Sequence, residues 1–377
     1  MRICILGRAN YTIVARRAIK YTERGHDVHV ITLHDGKISD CSVHAVLKDS
    51  GLPSKVKYLA ALPKVKSIIN QLAPDIIDIH GVSSYGIFAL NSINIPLVTT
   101  IYGPDLYQEA ANSWILRYIS RNALSKSDVI IGSTAAIADY SIDSVGMDIS
   151  KCLRTRRGGV DILRILGNAL DRRTQIRSKL GVSSKTRVIL HSRHLTHLWR
   201  VPILVESIPA VLASHPDSEL WLAYPNPNEA GQQMLAELRR RVRELKLEEK
   251  VRFLGQHEYD DMISIMHASD IFVCIGTHDL LASSIQEALC TGLIPILSDL
   301  PAYREVIEQE KNGFYLNDVS PNKLAEQLNQ VIANFESIKG PLADKNQALI
   351  RTNFNLEDGI DWLISQYQLA IEKFKNK

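Results

Sequence analysis

Two acidic residues, Asp279 and Glu287, flank the start of a predicted helix that follows an apolar run at 271–275. The helix opens at Ser283 or Ser284, and the first backbone amides of a helix have no partner within it. Such amides form a site for anions, for example a diphosphate. Glu287, one turn into the helix, can accept two hydrogen bonds from a vicinal diol such as that of ribose.

The same segment also allows a purely structural interpretation. Ser284 and Glu287 have the spacing of a capping box, in which the serine caps the helix and the glutamate reaches back to the cap amide. The spacing alone therefore leaves ribose binding and helix capping equally open.

The elements that must position these residues form two successive series of strands and helices. Short apolar runs such as 76–79 and 129–131 alternate with helical stretches such as 54–72. The alternation restarts after a basic stretch, 151–161, which carries two adjacent glycines and is interpreted as a hinge. Apolar strands separated by helices predict buried parallel sheets. We therefore expect an α/β fold of two Rossmann-like lobes that face a central cleft.

The predicted first domain spans residues 1–160, and the predicted second domain spans residues 161–357. The tail has helical period, and we expect 358–377 to pack back on the first domain. Its apolar positions are Trp362, Leu363, Tyr367, Leu369 and Ile371.

Composition excludes several classes of protein. The net charge of +3 over 377 residues is too small for a dedicated nucleic-acid binder. No stretch reaches the roughly 18 to 20 apolar residues of a membrane span, and the N-terminus is too short in apolar residues for a signal peptide. The five cysteines are odd in number and include no Cys-x-x-Cys pair. We therefore expect a cytoplasmic protein with reduced thiols, no metal site and no nucleic-acid partner.

The segment from Ile271 to Asp299 resembles the signature of the retaining glycosyltransferases of family 4, which have the GT-B architecture. In that family an acidic residue stands eight positions before a glutamate, and Asp279 and Glu287 have this spacing. Asp279 is a shorter variant of the usual glutamate. The resemblance extends over nearly the whole chain, through 22–32, 128–133, 157–161, 251–255, 293–307 and 312–316.

The resemblance implies a nucleotide-sugar donor as co-substrate in the second domain, with no other cofactor and no metal. Glu287 would hold the ribose hydroxyls, and Asp279 would face the sugar. Arg193 matches the family's diphosphate-binding arginine, whose guanidinium stays charged as the leaving diphosphate accumulates charge; alternatively, it is a surface arginine at a strand end. The other implied donor contacts are Leu281, Ala282, Ser283 and Ser284.

The chain departs from the family pattern at three places. It lacks a lysine that commonly follows the arginine, and Arg200 is the candidate to supply that charge. Tyr102 stands where the family often has a histidine; it can bond a sugar hydroxyl but carries no positive charge near neutral pH. His80 is a second candidate there, or else a structural histidine. Asn10 lies in a loop without the family's paired glycine and is expected to line the site.

The expected activity is transfer of a hexose, with retention, from a nucleoside diphosphate donor to a glycan or lipid-linked acceptor. Tyr102 and the missing lysine motivate an alternative, an inactive sugar-nucleotide-binding partner of another glycosyltransferase. Phosphorolysis or epimerisation on the same architecture is a further option.

Peripheral contact with the inner face of a membrane is a side hypothesis, because many members of the family act on lipid-linked acceptors. Four basic residues cluster on or near the first predicted helix: Arg16, Arg17, Lys20 and Arg24. A solvated helix face would have the same composition.

Overall fold

A computed structural model describes residues 1–47, 50–51, 54–91, 94–132, 134–147, 149, 152–154 and 159–376. The chain divides into two compact units. One comprises residues 1–158 together with 356–377, and the other comprises residues 159–355. Part of the predicted hinge, residues 151 and 155–158, lies outside the described residues.

The first unit is built on a seven-stranded sheet in which every neighbouring pair is parallel. Its strand order is β3-β2-β1-β4-β5-β6-β7. The strands are β1 (Arg2–Leu6), β2 (Asp27–Thr32), β3 (Ser42–Ala45), β4 (Ile76–His80), β5 (Leu97–Thr100), β6 (Val129–Gly132) and β7 (Leu153–Arg154). The connecting helices are α1 (Thr12–Glu23), α2 (Ser54–Leu72), α3 (Trp114–Lys126) and α4 (Ile137–Val145), with a 3-10 turn at Tyr85–Leu90 and a π-helical turn at Asp105–Ala110.

The second unit is built on a six-stranded parallel sheet of order β10-β9-β8-β11-β12-β13. Its strands are β8 (Arg187–His191), β9 (Ser218–Ala223), β10 (Val251–Gly255), β11 (Ile271–Cys274), β12 (Ile294–Ser298) and β13 (Phe314–Leu316). Its helices are α5 (Ile162–Leu166), α6 (Ala169–Lys179), α7 (Val201–Ser214), α8 (Glu229–Glu244), α9 (Tyr259–Ala268), α10 (Ser283–Cys290), α11 (Pro301–Arg304), α12 (Pro321–Ala333) and α13 (Phe335–Asn353), with a 3-10 turn at His197–Trp199.

The two parallel sheets confirm the predicted α/β class. Central strands such as β4 and β11 are buried along their whole length, as expected where helices cover both faces of a sheet. Apart from Asp78 and His80 in β4, both strands are apolar, and this is why they could be located from the sequence.

The last helix, α14 (Leu356–Lys375), belongs to the first unit. Its buried face joins the apolar core around β1, β5 and β6. This face consists of Leu356, Gly359, Ile360, Leu363, Tyr367 and Ala370. Leu369, expected among the packing residues, is instead 46% exposed, because it lies on the other side of the helix.

The five cysteines are free, and burial raises the pKa of Cys274 to about 11. Within the described part of the chain, no helix has the length and apolar character needed to span a membrane.

Candidate functional site

The loop after β11 is fixed by a tight contact with Trp199. A Cβ on Gly276 would lie 2.7 Å from the Trp199 ring, closer than real Cβ contacts allow. The amide of Thr277 donates to the carbonyl of Leu198 at 2.9 Å. Glycine is therefore required at position 276 for the loop to pass beneath the indole.

Asp279 is buried in this loop and accepts hydrogen bonds from its backbone. The residue is 5% exposed, and its carboxylate accepts bonds from the amides of Leu280 at 2.9 Å and Ala282 at 3.2 Å. The Tyr303 hydroxyl donates to the same carboxylate at 2.9 Å. These contacts engage Asp279 in holding the loop, a different role from the sugar contact implied by the family resemblance.

Helix α10 begins two residues earlier than a capping box of Ser284 and Glu287 requires. Ala282 is the N-cap and makes no side-chain cap bond, so Ser284 lies within the first turn. The backbone turns into the helix through Leu281, whose φ of 60° is unusual for a residue with a side chain. Gln286 Nε2 donates to the Leu281 carbonyl at 3.0 Å and stabilises this turn. The capping-box interpretation is therefore not supported.

The start of α10 leaves backbone donors available. Among the described residues, the amides of Leu281, Ser283 and Ser284 have no hydrogen-bond partner. The amide of Ala282, also predicted to face the donor, is instead taken by Asp279. Three amides at one helix start form a ready site for an anion.

Arg193 lies against this helix start. Its Nη1 donates to Ser284 Oγ at 3.1 Å, and its Nη2 is 3.8 Å from Asp279 Oδ1. The guanidinium carbon stands 3.8 Å from the centroid of the Trp199 ring, a cation–π distance. With its side chain only 17% exposed, Arg193 is held in place and is not a free surface arginine.

Glu287 lies on the same helix, three residues after Ser284. Residues at this spacing share a helix face, so the carboxylate belongs to the face that Ser284 presents to Arg193. Glu287 is 7% exposed. A buried carboxylate beside open amides suits recognition of a neutral diol next to an anion.

Arg200 occupies the N-cap of α7 with a left-handed φ of 50° and is half-buried. In the described ranges its guanidinium has no hydrogen-bond or ion-pair partner. His194 and His197 are exposed, and no group of three or more His, Cys, Asp or Glu side chains that could hold a metal ion occurs among the residues described.

The first unit brings His80 and Tyr102 together. His80 Nδ1 and the Tyr102 hydroxyl are hydrogen-bonded, and His80 Nε2 lies 2.9 Å from Asp78 Oδ2. Asp78 is fully buried and also accepts bonds from Thr100 Oγ1 at 3.1 Å and from the Tyr367 hydroxyl. His80 is 3% exposed, and its two ring nitrogens are engaged by Tyr102 and Asp78.

The protonation states of Asp78 and His80 are set by burial and by the neighbouring groups. Burial alone would raise the pKa of Asp78, but His80, Arg17 and Tyr367 outweigh it and lower that pKa. Burial also lowers the pKa of His80, against the opposing effect of Asp78. An ionised Asp78 can only accept, so His80 carries its proton on Nε2 and Nδ1 accepts from Tyr102. The lone pairs of the Tyr102 oxygen then remain for another donor.

Asp105 supports the Tyr102 turn. Its carboxylate accepts from the amides of Gly103 at 2.8 Å, Val82 at 3.1 Å and Tyr102 at 3.3 Å. Burial raises the pKa of Asp105 to about 6, although these amides act to lower it. Asn10, in contrast, is exposed in the loop after β1, and no described bond connects it to His80 or Tyr102.

Sequence reasoning missed Trp199, Tyr303, Asp78 and Asp105. Each acts by positioning another residue through a contact that depends on the fold. The one available signal was their adjacency to residues already selected, as with Asp105 three positions after Tyr102.

Two family models match the chain. One, described as glycosyl transferases group 1, matches residues 172–341, and the other, described as glycosyl transferase 4-like, matches residues 2–134. Spore coat protein SA of Bacillus subtilis is 26% identical over 259 residues, 65% of this chain and 67% of that protein. The GDP-mannose:cellobiosyl-diphosphopolyprenol alpha-mannosyltransferase of Xanthomonas oryzae is 24% identical over 315 residues, 80% of this chain and 77% of that one.

Solved structures share the whole fold. The Anabaena protein Alr3699/HepE in complex with UDP and glucose superposes with a TM-score of 0.79 at 18% identity, covering 98% of this chain and 99% of that one. Sucrose-phosphate synthase of Thermosynechococcus elongatus gives 0.81 at 16% identity, covering 99% and 100%. Both neighbours support the predicted two-unit architecture.

Proposed function

Because the chain belongs to the glycosyltransferases that these two family models describe, we propose that it transfers a hexosyl group from a nucleoside diphosphate sugar to an acceptor hydroxyl. One observation carries the proposal: Arg193 is clamped between Trp199 and Ser284 at a helix start with open amides. A fixed cation and amides aimed at one place are suited to a diphosphate.

The donor diphosphate would be bound by the amides of Leu281, Ser283 and Ser284 and by the guanidinium of Arg193. Arg200 would add a second positive charge in place of the missing lysine. These groups would stabilise the charge that develops on the diphosphate as it leaves, without a metal ion. Because they are held before the donor arrives, they need no reorganisation during the reaction.

The ribose hydroxyls of the donor would donate to the Glu287 carboxylate. The burial of Glu287 supports this assignment, because a buried acceptor gains most from a bidentate partner. Asp279 and Tyr303 would act indirectly, by keeping the loop in the shape that exposes the amides.

Transfer with retention would need no covalent intermediate on the protein. The bond between the anomeric carbon and the phosphate oxygen would break, and the acceptor oxygen would bond to that carbon from the same face. The acceptor proton would pass to the leaving phosphate oxygen. Positioning and preorganised charge would supply most of the acceleration.

Tyr102 would contact the acceptor through its oxygen lone pairs, since its proton is donated to His80. The acceptor would be a glycan or a lipid-linked sugar on the cytoplasmic side. We also retain a second function, a sugar-nucleotide-binding partner without turnover, because a tyrosine hydroxyl cannot supply the positive charge of a protonated histidine.

Calorimetry with UDP-, GDP- and ADP-sugars tests the proposal, since a relative is named as using GDP-mannose and a structural neighbour was crystallised with UDP-glucose. We expect Arg193→Ala and Glu287→Ala each to weaken binding of the preferred donor by about tenfold to a hundredfold, roughly 1.4 to 3 kcal/mol. Unchanged affinity in both variants would refute the site.

Arg187→Ala is the matched control. Arg187 begins β8, just as Arg193 follows its end, and its guanidinium also lies over an aromatic ring, Phe335, at 4.2 Å. We expect the control to keep wild-type donor affinity. Donor binding with no transfer to any acceptor in a glycan panel would favour the binding-partner function.

A further inference from the structure

Helix α3 displays large apolar side chains on its outer surface. Trp114 is 79% exposed, Tyr118 is 61% exposed and Ile115 is 51% exposed. Tyr118 follows Trp114 by one helical turn, so the two rings share a face. Single exposed apolar residues are ordinary, but three on the first turns of one helix form a patch.

The charge on this helix has one sign. Its thirteen residues include Arg117, Arg121 and Lys126 and no acidic residue. Within the described part of the chain, no carboxylate lies within ion-pair distance of these three side chains. Arg117 and Lys126 donate to backbone carbonyls, which leaves their charge uncompensated.

The helix that carries this patch is packed against the first unit along its inner side. Ile119, Ala123 and Leu124 are buried on its inner side, and Ser113 caps its first turn by accepting from the Leu116 amide. An open hollow of about 360 Å³ adjoins the exposed face and is lined by Tyr118, Arg121, Asn122, Ser125 and Met147. The apolar and basic side chains are therefore presented together by a fixed surface.

Three of the four basic residues that the sequence places on or near helix α1 have acidic partners in the structure. Arg17 is buried, 3.6 Å from Asp78, and bonds Thr100. Lys20 and Arg24 form ion pairs with Glu357, and Arg24 also pairs with Asp361. Acidic side chains of the protein thus already neutralise these charges.

We propose that the exposed face of α3 (Trp114, Ile115, Arg117, Tyr118 and Arg121) docks on an anionic lipid bilayer. Trp and Tyr are the side chains that settle at the interface between headgroups and acyl chains, and arginines beside them complement lipid phosphates. A second copy of the chain is a poorer occupant. In a two-fold symmetric dimer formed through this face, the arginines of one copy would lie against the same arginines of the other copy, and their like charges would repel.

The docking surface stands independently of the transfer reaction. If the proposed function holds, the docking surface would also keep the protein at the membrane that carries lipid-linked acceptors.

Flotation of the full-length protein with lipid vesicles tests the proposal. We expect binding to vesicles of phosphatidylcholine with about a quarter phosphatidylglycerol, and at least about tenfold weaker binding to phosphatidylcholine alone or at high salt. Trp114→Ala combined with Tyr118→Ala, and separately Arg121→Glu, should each weaken binding to the anionic vesicles by about tenfold.

The control removes equally exposed apolar side chains from the other unit. Leu163 is 85% exposed and Leu170 is 76% exposed, and we expect Leu163→Ala with Leu170→Ala to bind vesicles like the wild type. No binding of the wild type, or equal loss in the control, would overturn the proposal. So would a wild-type dimer that the Trp114 and Tyr118 variant converts to monomer. Donor calorimetry on the same variants measures the donor site separately, so failure of the docking proposal can be distinguished from failure of the proposed function.

Discussion

The Tyr367 hydroxyl donates a hydrogen bond to Asp78 Oδ2, joining the last helix to the centre of the first sheet across 289 residues of sequence. Tyr21 lies 3.0 Å from the same hydroxyl, and the two rings meet edge to face. Through Asp78 this contact reaches His80 and then Tyr102. The C-terminal helix therefore helps to position a candidate site residue that it does not touch.

Tyr367→Phe should destabilise the first unit by about 1 to 3 kcal/mol, because it leaves a buried carboxylate short of one donor. Urea unfolding, followed by hydrogen exchange of the β4 amides, measures this loss. Tyr118→Phe removes a hydroxyl from a side chain that is 61% exposed, and we expect a change within about 0.5 kcal/mol. Equal effects of the two substitutions would contradict the role given to Tyr367.

Asp105→Asn should change how stability depends on pH. Burial raises the pKa of Asp105 to about 6 in the folded protein, whereas the usual value for an aspartate is about 4. The folded state therefore binds the carboxyl proton more tightly than the unfolded state. The stability that this proton contributes is present at low pH and is lost as the pH rises from about 4 to about 6.

The variant has no such proton. Over that range, the unfolding free energy of wild type minus that of the variant should therefore fall by about 1 to 3 kcal/mol. Chemical denaturation across this pH series measures the difference, and a constant difference would show that Asp105 titrates normally.

Gly276→Ala should impair both stability and donor binding. The new Cβ would lie 2.7 Å from the Trp199 ring, so the indole and the Arg193 guanidinium stacked on it must move. We expect a cost of about 1 to 3 kcal/mol in thermal stability and a clear loss of donor affinity by calorimetry.

Gly340→Ala is the matched control for this substitution. Gly340 lies within α13, and nothing stands within 4 Å of an added Cβ. Alanine there should stabilise the helix slightly, by about 0.5 to 1 kcal/mol. Normal donor binding in Gly276→Ala would mean that the Trp199 contact does not position Arg193.

Tyr303→Phe should weaken donor binding while leaving the fold intact. It removes the hydroxyl that donates to Asp279, which holds the loop before α10. The amides of that loop would be less well ordered, and we expect about a threefold to tenfold loss of donor affinity. Tyr315→Phe, which removes a hydroxyl bonded to the Ile307 carbonyl, is the control. A loss of the same size in the control would assign the effect to general destabilisation.

The sequence predicted the central strands closely because their signal is local. The apolar run predicted at 76–79 forms β4, and the helix predicted at 54–72 forms α2 with the same bounds. Several elements were not predicted, β3 and α13 among them. Strand β3 is a short edge strand without a buried residue, and α13 carries Pro341 in its interior, which argues against a helix.

The sequence by itself determined the α/β class, the family resemblance and the segment around Asp279 and Glu287, because periodicity and motif spacing are properties of neighbouring residues. Only the tertiary structure decided what these side chains do. It buried Arg17, predicted on a surface helix, beside Asp78, and it brought His80 within hydrogen-bond distance of Tyr102. It also set Trp199 beneath Arg193. Such pairs depend on which strands become neighbours in the sheet and on the free-energy cost of burying a charge without a partner. Neither can be read from neighbouring residues in the sequence.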